Sequence, residues 1–105
     1  TIEYVANGGV GRYADLAAMI GQPASDEAEA AKKLASATRD LMRQVNLPTT
    51  LQEAGISAND LKRHLETLCE HVLIDTNTLM SRRIPESVEV EKLFQYAFDG
   101  RSIDF

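Results

Sequence analysis

The chain has 105 residues, room for one modest hydrophobic core, and its 44% apolar and 26% charged residues match an ordinary folded domain. A net charge of −5 argues against nucleic-acid binding and against attraction to an anionic membrane, both of which need an excess of Lys and Arg. The single cysteine, Cys69, excludes an internal disulfide, and no apolar run approaches the ~20 residues of a membrane span, so a cytoplasmic protein is expected.

In chain order, Ile2, Tyr4 and Val5 form a brief apolar lead-in broken by Asn7-Gly8-Gly9. Arg12 to Ile20 reads as a short helix, with Tyr13, Leu16, Ala17 and Ile20 at helical spacing, and Gly21 ends it. Ser25 or Asp26 caps the next helix, whose first turn gathers Asp26, Glu27 and Glu29 where the helix dipole favours negative charge. Its apolar face runs Ala28, Ala31, Leu34, Ala35, Thr38, Leu41, Met42 and Val45. The helix stops at Leu47-Pro48. Thr50-Leu51-Gln52-Glu53 then has the form of a capping box, and Ala54-Gly55 closes a short helical turn.

Ser57-Ala58-Asn59-Asp60 starts a further helix with the stripe Leu61, Leu65, Leu68 and Val72, widened by Cys69 and Leu73. Asp75–Arg83 loses that periodicity and reads as a loop. After Ile84-Pro85, Ser87 serves as an N-cap for a last helix over about Val88–Phe98, burying Val90, Leu93, Phe94 and Ala97, and Asp99-Gly100 ends it. These elements predict an all-α fold: one helical domain over residues 1–105, a bundle of four main helices and one short one. The chain opens at Thr1 with neither an initiator Met nor a targeting segment, which reads as the interior of a longer polypeptide, although removal of a Met before a small residue such as Thr gives the same start.

Residues able to carry chemistry are few. His64 and His71 share a face of one helix but lie two turns apart, about 10 Å along its axis, whereas helical metal pairs use i, i+4 spacing. Cys69 sits on the apolar stripe, and His71, two residues on, faces elsewhere, so neither a metal site nor a thiol nucleophile is assembled. His71 with Asp75, and Glu66 with Glu70, have the spacing of ordinary solvated helical pairs. Gly8-Gly9-Val10-Gly11 precedes a helix but lacks both the G-x-G-x-x-G spacing and the Lys-Ser/Thr of a P-loop; it reads as a helix-entry loop. Arg82-Arg83, with Lys62 and Arg63, suits loop hydrogen bonding better than a phosphate site, and Leu51–Val72 is too poor in positive charge for a DNA-binding helix-turn-helix. No set of nucleophile, base and orienting group can be built.

Four stretches together resemble one family. TIEYVANGGVGRYADLAAMIG looks like a passage in which an apolar segment leads through an Arg-Tyr-Ala helix to a glycine. NLPTTLQEAGIS resembles a Pro, Leu, Gly-Ile joint, Asp75-Thr76-Asn77-Thr78 a D-x-x-T loop before an N-P-R-x-P turn, and SVEVEKLFQYAFDG a closing helix with its glycine. All four are features of the C-terminal helical domain of the iron-containing (group III) alcohol dehydrogenases. Ser81-Arg82 stands where that family has Asn-Pro, while Arg83 and Pro85 are kept.

The resemblance implies a parent that transfers hydride between NAD(P) and a primary alcohol or its aldehyde, with Fe(2+) or another divalent metal polarising the oxygen. It places the metal ligands and the dinucleotide-binding domain upstream, as the partner of this chain in the same polypeptide. It is also compatible with a homo-oligomeric parent. No catalytic, cofactor-binding or metal residue carries over, and the chain alone is expected to be inactive. Asn77 and Thr78 are the candidates for lining the substrate cleft; alternatively Asp75 and Thr78 only fix the loop through side-chain-to-backbone bonds. The competing expectation is a free-standing helical interaction module. A fragment should expose apolar surface around Ile2–Val5 and Leu79-Met80, whereas a self-sufficient module should not.

Overall fold

A computed structural model describes residues 1–9 and 11–105, in six helices and no strand among the described residues. The all-α expectation holds. The contacts divide the chain into two compact units, Thr1–Leu47 with Ile103–Phe105, and Pro48–Ser102.

The first unit contains α1 (Ile2–Asn7), α2 (Tyr13–Met19) and α3 (Glu27–Gln44). Both short helices pack on α3. Asp26 caps α3 by accepting the Glu29 amide at 2.8 Å. Glu29 in turn accepts from the Ser25 amide at 2.8 Å and its hydroxyl at 2.7 Å, and it pairs with Lys33 at 2.9 Å. These contacts, the Ser25 backbone bond first, hold the Glu29 carboxyl down at about 2. The α2 N-terminus has no local side-chain cap; instead Glu27 of α3 accepts from the Tyr13 amide at 2.6 Å and the Ala14 amide at 3.3 Å. At the other end of α3, Asn46 takes a left-handed φ of 57°. The Leu47 amide then donates to the Met42 carbonyl at 2.8 Å and the Asn46 amide to Arg43 at 3.0 Å, a Schellman closure.

Three sequence expectations need correction in this unit. The apolar lead-in is a helix, α1, and Glu3, Tyr4, Val5 and Ala6 are all buried, so Ile2–Val5 is not an exposed patch. The buried face of α3 is Ala30, Ala31 and Ala35, with Ala28 exposed, because α1 and α2 widen the covered arc toward Ala30. Further along α3, Leu41 and Val45 stay 58% and 56% exposed, so the apolar stripe runs beyond the covered part of the helix. The Gly8-Gly9-Val10-Gly11 reading includes Val10, which lies outside the described residues.

The second unit holds α4 (Ala58–Ile74), α5 (Thr76–Leu79) and α6 (Ser87–Asp99), with α4 packed on α6 and α5. The joint before α4 is a single turn rather than a helix. Thr50 Oγ1 accepts from the Glu53 amide at 3.0 Å, as a capping box requires, but the Glu53 carboxylate reaches one residue further, to the Thr49 amide at 2.6 Å and hydroxyl at 2.9 Å. Gly55, at a φ of 88°, lets the Ile56 amide return to the Leu51 carbonyl at 3.0 Å. The Leu51 amide donates to the Ala97 carbonyl at 3.1 Å, tying the joint to α6.

Ser57 caps α4 through the Asp60 amide at 3.1 Å. Leu61 and Cys69 are buried, and Leu65, Leu68, Val72 and Leu73 are half-buried, as the stripe predicts. On α6, Val90 is fully buried and Leu93 and Phe94 half-buried. Ala97 is exposed, and Phe98 is buried in its place, lining a pocket with Ala58, Leu61 and Leu65 of α4. The N-cap of α6 is Glu86, not Ser87: the Glu86 amide donates to the Glu89 carboxylate at 2.9 Å.

Candidate functional site

The segment Asp75–Glu89 is built around two carboxylates. Asp75 ends α4 in extended geometry, and its Oδ1 accepts from the amides of Asn77 at 2.8 Å and Thr78 at 3.3 Å. These bonds satisfy two of the orphan amides at a helix start. The expected loop is therefore corrected to the four-residue helix α5, whose last amides return to Asp75 and Thr76 carbonyls at 3.0 Å. Pattern recognition misses it because four residues cannot show a helical period. Of its residues Asn77 is exposed and Thr78 half-buried.

At the other end of the segment, the Glu89 carboxylate accepts from Arg83 Nη2 at 2.7 Å and from the Glu86 amide at 2.9 Å. Arg83 and Glu89 side chains are only 22% and 26% exposed, and Pro85 beside them is buried. The turn after α5, lacking the family's Asn-Pro at Ser81-Arg82, is thus pinned to the start of α6 by an ion pair that doubles as a helix cap. Between the two anchors, Leu79, Met80 and Ile84 are 52%, 82% and 53% exposed. Asn77 and Thr78 sit on the Asp75-capped turn beside this apolar surface, and Leu79 and Met80 are exposed as expected there.

The remaining candidates are dispersed. His64 and His71 are both exposed on α4. His64 also lines an apolar cavity of about 370 Å³ walled by Leu51, Ile56, Leu61, Leu68 and Phe94. Cys69 is buried, and burial, then the nearby Glu91 charge, pushes its thiol pKa up, away from nucleophilic use. Among the described residues no group of three or more His, Cys, Asp or Glu side chains could hold a metal ion. Asp60, Arg63 and Arg43 are engaged in i, i+3 pairs of the solvated kind.

A sequence model described as Fe-containing alcohol dehydrogenase family, C-terminal, matches residues 1–98. The chain belongs to that family. It is 28% identical over 94 residues to the NADPH-dependent butanol dehydrogenase of Clostridium saccharobutylicum, a match covering 90% of this chain and 24% of the relative. The chain therefore spans about a quarter of the length of that curated relative, as a C-terminal part of a larger protein would. Asp75 bonds backbone amides and Arg83 the Glu89 carboxylate, and among the described residues neither joins a group of three or more side chains able to hold a metal ion. No helix of the described residues is long and apolar enough to cross a membrane.

Sequence reading overlooked Glu27 and Glu89 as structural carboxylates. Glu27 is legible only after the fold brings it to the α2 N-terminus. Glu89 carries a visible signal, an acidic residue three positions after Glu86 at a helix start, which the preference for Ser87 as cap obscured.

Proposed function

We propose that this chain is the C-terminal helical part of an iron-dependent, NAD(P)-linked oxidoreductase that interconverts a primary alcohol and its aldehyde. The observation that carries the reading is the family match across residues 1–98. The span of the butanol dehydrogenase relative supports a parent with a further, dinucleotide-binding domain in the same polypeptide, and its name supports a nicotinamide cofactor and a short alcohol. The reading assigns metal and cofactor binding to the rest of the parent; among the described residues no group of three or more His, Cys, Asp or Glu could hold a metal ion. The chain by itself is inactive.

Its contribution is a wall of the cleft. Asp75 presents Asn77 and Thr78 from a capped turn, while the exposed Leu79 and Met80 exclude water once the remaining polypeptide covers them. Exposed Leu79, Met80 and Ile84 around this turn are the apolar surface that the reading assigns to contact with the rest of the parent. The cytoplasm suits the free, buried Cys69.

The test is Asn77→Leu in the full-length protein. The KM for 1-butanol should change by about threefold or more while the KM for NAD(P) stays within about twofold, the separation expected of a residue that touches only the alcohol. Unchanged alcohol kinetics would remove Asn77 from the cleft.

A further inference from the structure

The turn between Pro48 and Ser57 has no part in the cleft wall, yet its backbone is tied at several points. The Leu51 amide donates to the Ala97 carbonyl of α6 at 3.1 Å, the Ile56 amide to the Leu51 carbonyl at 3.0 Å, and the Thr49 amide to the Glu53 carboxylate at 2.6 Å. Leu51 and Ile56 are thereby held as one wall of the apolar cavity of about 370 Å³. α4 supplies Leu61 and Leu68 from its apolar stripe, and α6 supplies Phe94. Leu68 and Phe94 lie on stripes that read as core, but both border the cavity and stay half-buried.

Two polar side chains complete the lining, and they differ. Asp60 is engaged: its Oδ2 accepts from the Ser57 hydroxyl at 2.6 Å, and Arg63 lies 4.0 Å from its Oδ1. The exposed His64 imidazole offers one donor and one acceptor when neutral. Water gains little in this hollow, because it needs several polar partners and the walls are mainly hydrocarbon. Asp60 disfavours an anionic head, while its contacts with Ser57 and Arg63 already meet its own charge. The volume falls within the ~300–1,000 Å³ of ligand pockets and exceeds the ~150 Å³ that takes up benzene.

We propose that this cavity binds a small uncharged molecule with a hydrocarbon body and a hydroxyl that bonds His64. A ring or chain of about six to ten carbons fits the space. The cavity shares no lining residue with the turn that carries Asn77 and Thr78, and the inference does not depend on the proposed activity.

Fluorine NMR titration of the full-length protein with para-fluorophenol and para-fluorotoluene tests it. The phenol carries ring and hydroxyl, but its hydroxyl carbon bears no hydrogen, so it cannot be oxidised by hydride loss. The toluene carries the ring without the hydroxyl. The phenol should bind with a Kd of about 1 mM or below, and more tightly than the toluene. His64→Leu should weaken the phenol about fivefold and leave the toluene within about twofold, the effect of one hydrogen bond. Ile56→Trp, which sets an indole at the cavity wall, should abolish binding of both. The proposal is overturned by the lack of saturable phenol binding at about 10 mM, or by a phenol affinity within about twofold of the unaltered protein in Ile56→Trp. Equal weakening of both probes by His64→Leu also overturns it. If Ile56→Trp fails to fold, the comparison of the two probes in His64→Leu decides alone.

Discussion

Glu89 offers the sharpest test of how the second unit is held. Replacing it with Ala removes an ion pair to Arg83 at 2.7 Å and the acceptor for the Glu86 amide at 2.9 Å. The pair is more than three-quarters covered on the Arg83 side, which puts it at the upper end of the surface range, about 1 kcal/mol, and loss of a helix cap contributes about 1 kcal/mol more. The expected cost is therefore about 2 kcal/mol, or a fall in Tm of roughly 8–16 °C for a cooperative unit of this size. Glu89→Gln keeps a neutral acceptor for Glu86 and should lose about half as much. Far-UV circular dichroism on Arg83→Met, Glu89→Ala and the double variant gives the coupling directly. A coupling energy below about 0.3 kcal/mol would refute the claim that one carboxylate serves both the turn and the helix start.

Two further outcomes follow from the same geometry. The Glu29 carboxyl should titrate at about 2 in a carbon-detected NMR experiment, and Ser25→Ala, which removes the hydroxyl but keeps the larger backbone bond, should raise it only part of the way toward 4.5. Its folded pKa is depressed, so its contribution to stability is complete above about 4.5 and is lost as pH falls through about 2. Gly100 has a φ of 72°, and a Cβ there would lie 2.8 Å from Thr50 Cγ2. Gly100→Ala should thus cost about 1–2 kcal/mol in urea unfolding, and pairing it with Thr50→Ser should recover the part due to the clash but not the part due to the left-handed backbone. Full recovery would contradict the backbone account.

The long helices were readable from sequence because their information is local. Asp26, Ser57 and Gly100 mark ends that depend on residues within one turn, and Leu61, Leu68 and Cys69 repeat at the helical period. α1 was not readable for the opposite reason. Four consecutive buried residues, Glu3 to Ala6, erase periodicity, and their cover comes from α3 and from Ile103 and Phe105, all distant in the chain. α5 hid in its shortness, and the exchange of Ala97 for Phe98 reflects which side chain can reach α4, a tertiary matter. At the candidate site, Asp75 was legible as a side-chain anchor, but the Arg83–Glu89 pair was not: it depends on a turn whose expected Asn-Pro is absent. The family resemblance spread over four motifs survived each of these local misses.

The central claim is that this chain carries the family's helical scaffold while its chemistry resides in the rest of the polypeptide. Metal content and alcohol oxidation of the full-length protein bearing His64→Ala and His71→Ala together test it most directly. The account predicts unchanged metal stoichiometry and a kcat within about twofold of the unaltered protein, because neither imidazole belongs to a ligand cluster. Loss of the metal, or a fall in kcat of about a hundredfold, would show that the chain supplies ligands after all.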